Sequence, residues 1–295
     1  MKLGILSRNK NLHSIRRLLK EAKALRVQPF VMDPLECSVV VGGAAPGLYL
    51  GEKPVPVCDV VLPRIGASVT DYGLAVVTQF EAMGVKVING SVAIAQSRDK
   101  LRAMQVLARK NIDVPATVLI RNGRGLKTAL RQVQGTPAVL KVIQGTQGVG
   151  VMIVESVNSA QSVMETLWNI GQDVLVQQYV AESAGRDIRA FVIGDKVVAA
   201  MRRQAREGEF RSNIHRGGEG VLIELKDSYK RAAINAAKAL GLGVAGVDLL
   251  ESLSGPMVIE VNSSPGFEGI EQATGLNIAR MIVKYAQGLH KGRRR

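Results

Sequence analysis

Two apolar strands near the C-terminus, VAGVDLL (244–250) and PMVIEVN (256–262), are separated only by the turn-rich Glu251-Ser-Leu-Ser-Gly-Pro256. So short a connection leaves an antiparallel hairpin as the natural pairing. Core-filling strands have no use for carboxylates, yet these two carry Asp248 and Glu260. Side chains two apart on a strand share a face, so Glu260 stands beside Asn262. By the same alternation Val258 lies on that face, with Met257, Ile259 and Val261 on the other. A hairpin symmetric about Ser254 sets Asp248 directly opposite Glu260. Like charges facing each other across a ladder are destabilising. A divalent cation between them removes that cost and takes Asn262 as a third ligand. An all-oxygen set selects a hard ion such as Mg²⁺ or Mn²⁺. The bland alternative is a pair of solvated carboxylates on an exposed face.

The first ninety residues alternate strand and helix. KLGIL, PFVMD, DVVLP and VKVI read as strands, with helices over 12–25 and in TDYGLAVVTQFEAMG. That pattern predicts a small βαβ layer with a parallel sheet. No GxGxxG follows the first strand, so a dinucleotide fingerprint is absent. The Gly- and Pro-rich stretch from Pro34 to Pro56 reads as an excursion rather than a core element. Ser97 is positioned to cap a helix through RDKLRAMQVLARKN. Beyond residue 115 strands near 116–120, 138–144, 151–155 and 174–180 surround a helix at 159–170. A hairpin follows, turning at Gly194-Asp195. A helix stops at Gly241, and another closes the chain from Asn277. The expected organisation is α/β followed by α+β: a layer over 1–95, a central unit over 96–180 and a C-terminal unit over 181–295.

Lys141 interrupts an apolar strand and is followed by Gly145-Thr-Gln-Gly-Val-Gly150. Glycines let backbone N–H groups approach phosphates closely. No Gly-Lys-Ser/Thr ends the loop, so it is not a P-loop; a flap over a nucleotide triphosphate fits better. Lys100 sits in the first turn of its helix, where the macrodipole disfavours a cation unless an anion is bound there. Asp187 and Arg189 share one strand face, and Arg202, Arg203, Arg206 and Arg211 follow with Ser212 and Asn213. Such arginines suit phosphate and carboxylate recognition. Arg64 follows DVVLP at the carboxyl end of a parallel strand, a place for an acidic substrate. Each feature has a plain counterpart: a snorkelling lysine, a glycine turn, a solvated basic loop.

Lys and Arg number 39 against 25 Asp and Glu, a net charge of +14, and the chain ends in a Lys-Gly-Arg-Arg-Arg run. This balance attracts nucleic acid, ribosomes or acidic peptides. Only one Trp and five each of Phe and Tyr are present, and no aromatic-rich strand offers a base-stacking platform. Two cysteines give no metal spacing or disulfide framework, which fits a reducing cytoplasm. No apolar run is long enough to span a membrane. The three histidines suggest no nucleophilic triad. Walker A and His-Arg-Asp kinase signatures are missing.

Taken in order, Ser97-Arg-Asp-Lys100, Lys141…Gly150, Val176-Gln-Gln-Tyr179, Asp187-Ile-Arg189, Phe210-Arg-Ser-Asn213, Asp248 and Glu260-Val-Asn262-Ser-Ser-Pro-Gly266 resemble the RimK-like ATP-grasp ligases over nearly the whole chain. The resemblance implies an ATP-grasp fold with an N-terminal Rossmann-like (pre-ATP-grasp) domain. It implies an ADP-forming carboxylate–amine ligase that adds L-glutamate to the acidic C-terminal tail of a small-subunit ribosomal protein, and that also makes short glutamate polymers. Lys100, Lys141, Gln178, Tyr179, Asp187, Arg211, Ser212 and Asn213 would bind ATP. Asp248, Glu260 and Asn262 would hold two Mg²⁺ or Mn²⁺ ions. Arg189, Arg203 and Arg211 would hold carboxylates and the tetrahedral intermediate, and a homotetramer is expected. The family generally reads Gln-Glu-Tyr where this chain has Gln177-Gln178-Tyr179, and Ser263 replaces a commoner alanine. Two other readings stand beside this one: a ligase for a different acid, such as a cofactor tail or carrier protein, and a basic ribosome- or RNA-binding module with an inactive nucleotide site.

Overall fold

The computed structural model describes residues 1–43, 47–143, 150–206 and 219–292. Strand β1 (Lys2–Leu6) leads through α1 (His13–Ala24) to β2 (Gln28–Met32). Next comes a small antiparallel sheet of β3 (Cys37–Val40), β4 (Gly47–Leu50) and β5 (Lys53–Pro54). β6 (Val60–Pro63), α2 (Thr70–Ala82) and β7 (Lys86–Val87) complete a parallel sheet of order β2-β1-β6-β7. Ile15, Leu18 and Ala22 of α1 cover one face. Val76, Val77 and Phe80 of α2 cover the other. The expected parallel layer is present. The stretch 34–56 is no mere excursion, because Cys37, Leu48 and Val55 are buried in the same cluster as Phe80. Its Gly and Pro residues mark the turns of a meander whose inward side chains are apolar.

Two helices follow, α3 (Ser91–Arg98) and α4 (Lys100–Arg109). Asp99 rather than Ser97 caps α4, its Oδ1 accepting from the Arg102 N–H at 2.9 Å. Ser97 is buried inside α3 and donates to the Ile94 carbonyl at 3.0 Å. β8 (Thr117–Ile120), α5 (Leu126–Gln132), β9 (Ala138–Val142), β10 (Val151–Val154), α6 (Val157–Asn169) and β11 (Val174–Gln178) then build an antiparallel sheet of order β10-β9-β11-β8. Among the described residues its buried core, including Leu130, Leu140, Met164 and Val176, is drawn from 126–176. Helix α4, grouped with this unit by sequence, instead packs Ala103 and Leu107 into the core of the C-terminal sheet.

That sheet contains β12 (Arg186–Ile193), β13 (Lys196–Gln204), β14 (Glu219–Leu222), β15 (Val244–Ser252) and β16 (Gly255–Asn262), in the antiparallel order β14-β13-β12-β15-β16. Helix α7 (Asp227–Ala239) lies on one face through Ala233, Ala236 and Ala237. On the other face α8 (Glu268–Thr274) and α9 (Ile278–Gly292) join α1: Phe191, Phe267, Ile278 and Ile282 share one cluster with Ile15 and Leu18. The first and last sheets are thereby fused, while the central sheet keeps a separate core. Among the described residues no helix is long and apolar enough to cross a membrane.

Candidate active site

The hairpin β15–β16 turns through two residues, Leu253 and Ser254, with Ser252 paired to Gly255. Continued unbroken, that register would put Glu260 opposite Val247. A bulge at Ile259 shifts it by one, so that Leu249 pairs with Val258 but Asp248 pairs with Glu260 and Gly246 with Asn262. The expected pairing is therefore reached by a turn and a bulge together. The face assignment from simple alternation is corrected for Val258. Val258 and Val261 both enter the core with Val247 and Leu249, while Glu260 and Asn262 border a cleft. Bulges re-aim side chains in this way beside active sites.

Asp248 is 2% exposed and lies opposite Arg189 on the neighbouring strand. Arg189 grips it with both arms, Nε to Oδ1 at 2.5 Å and Nη2 to Oδ2 at 2.6 Å. Arg203 Nη2 reaches Oδ2 at 3.0 Å. Arg203 also makes a two-armed contact with Asp187, its own cross-strand partner, with Nε to Oδ1 at 2.7 Å. Burial alone would lift the Asp248 carboxyl, but the two guanidiniums outweigh it and hold Asp248 below the usual carboxylate range. Glu260, whose side chain opens onto the cleft, moves the opposite way: partial loss of hydration first, and then the Asp248 charge, raise it. Two guanidiniums thus hold one carboxylate ionised, while Arg189, Lys141 and Lys100 offset its neighbour's shift only in part.

Two lysines approach Glu260 from outside the sheet. Lys141 on β9 is pushed down to about 8 by burial, against the pull of Glu260. Lys100, first residue of α4, is also lowered by burial with Glu260 opposing, and its Nζ donates to the Val142 carbonyl at 3.0 Å. A cleft of about 970 Å³ opens here, lined by Lys100, Ile143, Glu260 and Asn262 and, from the parallel layer, by Arg8 and Ser68.

The loop after Asn262 is pinned from the N-terminal layer. Asn89 donates to the Ser263 and Val244 carbonyls at 2.7 Å each, and its Oδ1 accepts from the Gly243 and Val244 N–H groups at 2.7 and 3.0 Å. Ser264 Oγ donates to the Pro63 carbonyl at 3.2 Å. Arg64, expected on an acidic substrate, donates to the Pro265 carbonyl at 2.7 Å and stacks over Phe267 at 5.8 Å. Burial pushes Arg64 down to about 10. Its contacts fix the loop, and it stands outside the cleft lining. Asn89 escaped the sequence reading; the only signal was a polar residue placed at the carboxyl end of VKVI.

Gln178 ends β11, which lies between β9 and β8 in the central sheet. Its N–H donates to the Ala116 carbonyl at 2.8 Å, its Oε1 accepts from the Ala116 N–H at 3.3 Å, and its Nε2 donates to Gln134 Oε1 at 3.0 Å. A carboxylate there could not make the last bond. Tyr179 follows, half-buried. Arg211, Ser212, Asn213 and residues 145–149 of the glycine loop lie outside the described residues.

The chain matches the RimK-like ATP-grasp domain over residues 97–286 and the RimK pre-ATP-grasp domain over residues 1–94. It belongs to the RimK-like ATP-grasp family. A protein of Marinobacter nauticus named a probable alpha-L-glutamate ligase is 51% identical over 291 residues, 99% of this chain and 97% of that one. A protein of Pseudoalteromonas translucida with the same name is 50% identical over 287 residues, 97% of this chain and 95% of that one. The ATP-grasp ligase PsnB, solved with a minimal precursor, Mg and ADP, superposes with a TM-score of 0.77 at 19% identity, covering 98% of each chain. The chain is accordingly an ATP-dependent ligase with the expected ATP-grasp architecture and pre-ATP-grasp layer.

The donor set also fits a hard cation. Among the described residues no group of three or more His, Cys, Asp or Glu could cage a metal unaided. Two carboxylates and an amide leave room for phosphate oxygens instead. The Asn262 amide carries the test. With Nδ2 toward Glu260 Oε1 (3.0 Å) and Oδ1 toward Arg189 Nη2 (3.3 Å), the amide is satisfied without an ion. In the reverse orientation its oxygen meets the Glu260 carboxylate, an arrangement that needs a cation between them.

Proposed function

We propose that this enzyme is an alpha-L-glutamate ligase that lengthens the acidic C-terminal tail of a small-subunit ribosomal protein, and also makes short glutamate polymers. The observation that carries the reading is Asp248 facing Glu260 beside two buried-stem lysines, at the edge of a cleft large enough for a peptide tail and an amino acid. The curated relatives' shared name supports glutamate as the amino acid. ATP lies between the central sheet (unit 96–180) and the C-terminal sheet (unit 181–295), with Lys141, Gln178, Tyr179, Asp187, Ser212 and Asn213 around it.

Asp248, Glu260 and Asn262 would hold two Mg²⁺ or Mn²⁺ ions, which would supply charge neutralisation on the phosphoryl oxygens. Lys100 and Lys141 add fixed positive charge to the same oxygens. An oxygen of the acceptor carboxylate attacks the γ-phosphorus and ADP leaves with the bridging oxygen. The resulting acylphosphate is attacked at carbon by the glutamate amine, which loses a proton as inorganic phosphate departs and the amide forms. Arg189 and Arg203 direct their donors to Asp248 and Asp187, so in this mechanism they orient the ligand carboxylates, while Arg211 contacts substrate. A contact with ribosomal RNA is supported by exposed Arg16, Lys20 and Lys23, one face of α1. Assembly as a homotetramer in the cytoplasm completes the reading. An acceptor peptide labelled with heavy oxygen in its terminal carboxylate tests the mechanism. One labelled atom should appear in the released phosphate, and unlabelled phosphate alongside amide product would refute it.

A further inference from the structure

The parallel layer reverses direction at its centre. From β1 the chain passes to β2 on one side and returns through β6 on the other. In open parallel sheets ligands settle outside the carboxyl ends of the strands at such a reversal. The two loops that flank this crevice, residues 7–10 after β1 and residues 64–68 after β6, both reach the cleft, through Arg8 and through Ile65, Gly66 and Ser68. Across the cleft stand Glu260 and Asn262. The crevice of the first layer and the phosphate-handling strand of the last sheet therefore face one space.

Among the described residues three basic side chains line that space: Arg8, Arg98 and Lys100. Arg98 is committed to neutral oxygens, with Nη1 on the Gly66 carbonyl at 2.9 Å and further bonds to the Ile65 carbonyl and the Thr70 hydroxyl. It shapes the loop after β6. Lys100 belongs to the phosphates in the mechanism above. Arg8 is exposed and, among the described residues, makes no hydrogen bond or ion pair. Its backbone is nonetheless fixed: Ser7 Oγ donates to the Asn9 carbonyl at 3.2 Å and accepts from the Asn9 N–H at 3.3 Å, and Asn9 Oδ1 accepts from the Asn11 N–H at 2.8 Å. The acids on the lining, Asp71, Asp99 and Glu260, do not pair with it; Asp99 is occupied in capping α4.

We propose that Arg8 is the carboxylate anchor of the acid substrate, gripping a glutamate carboxylate in the switch-point crevice so that the reacting group faces the phosphate site. A guanidinium fork matches a carboxylate in two-point geometry, which a lysine at this place would not. The assignment rests on the ligase reading above. The carboxylate belongs either to the free glutamate or to a side chain of the acceptor tail, and kinetics separates the two. Steady-state rates are measured for the wild type, Arg8→Ala and Arg8→Lys with glutamate, a glutamate-ended acceptor peptide and ATP varied in turn. Arg8→Ala should raise the KM for one acid by about tenfold or more, the worth of a lost charge-assisted pair, with the ATP KM unchanged and Arg8→Lys intermediate. The acid whose KM moves is the one Arg8 holds. A wild type that never extends the peptide overturns the ligase reading and this assignment with it. Normal wild-type turnover, with both acid KM values of Arg8→Ala within about twofold of it, overturns the assignment alone.

Discussion

The ion-pair ladder of the C-terminal sheet makes a strong stability prediction at Arg203. Its side chain is 5% exposed and lies between Asp187 and Asp248, whose side chains are 6% and 3% exposed. Arg203→Met keeps much of the volume but removes the cation. Asp248 retains Arg189, whereas Asp187 loses the two-armed partner recorded for it. Breaking a buried pair on one side costs about 3–5 kcal/mol, and with one acid still paired we expect the lower end. At a urea slope of about 3 kcal/mol per molar, that is a midpoint lower by about 1 M. Equilibrium urea unfolding followed by circular dichroism reads it directly. Replacing both members, Arg203→Met with Asp187→Leu, should recover most of the loss, because two apolar residues carry no uncompensated charge. A single variant whose midpoint falls by less than about 0.3 M would show that the ladder does not act as a buried network.

Other consequences follow from the same geometry. Glu260→Gln should abolish peptide extension while raising metal-free stability, since the fold disfavours the ionised carboxylate; that stability in the wild type should fall as pH rises from the ordinary glutamate range through the raised value. A metal-free wild type whose urea midpoint climbs over that interval contradicts the assignment. Lys141, lowered to about 8, is charged below that pH and loses its proton above it. The KM for ATP should therefore rise above pH 8 in the wild type, and the rise should vanish in Lys141→Arg, which stays charged. Gly246 lies opposite Asn262, and an added Cβ would meet Pro265 Cβ at 2.8 Å. Gly246→Ala should push the 263–266 loop outward and lower kcat more than it lowers the unfolding midpoint; an unchanged kcat would separate that loop from Glu260 and Asn262.

Much of this architecture was legible from residue pattern. The parallel layer and the late hairpins follow from alternation and turn residues, whereas the Asp248–Glu260 pairing, expected from a hairpin symmetric about Ser254, is reached through a two-residue turn and a bulge. The bulge at Ile259 was not legible, because Val258-Ile-Glu-Val261 satisfies two alternations equally and only packing under α7 selects one. Nor was the β3–β5 meander, whose Gly and Pro residues obscure three buried side chains. Nor could residue pattern separate Arg64 from Arg8, which it did not single out. Both sit at carboxyl ends of parallel strands, and only tertiary contact with Pro265 and Phe267 shows that Arg64 is engaged elsewhere. Asp99 displaced Ser97 as a cap through a break between two helices that apolar periodicity does not mark.

The central claim is that this chain joins glutamate to an acidic protein tail at the expense of ATP. Intact mass spectrometry of small-subunit ribosomal proteins incubated with the enzyme, ATP, Mg²⁺ and glutamate tests it most directly. The account predicts a ladder of glutamate-sized increments on one of those proteins, absent when ATP is omitted and absent with Glu260→Gln. ADP formation with every ribosomal protein unchanged in mass would contradict the acceptor, and glutamate addition by Glu260→Gln at the wild-type rate would contradict the site.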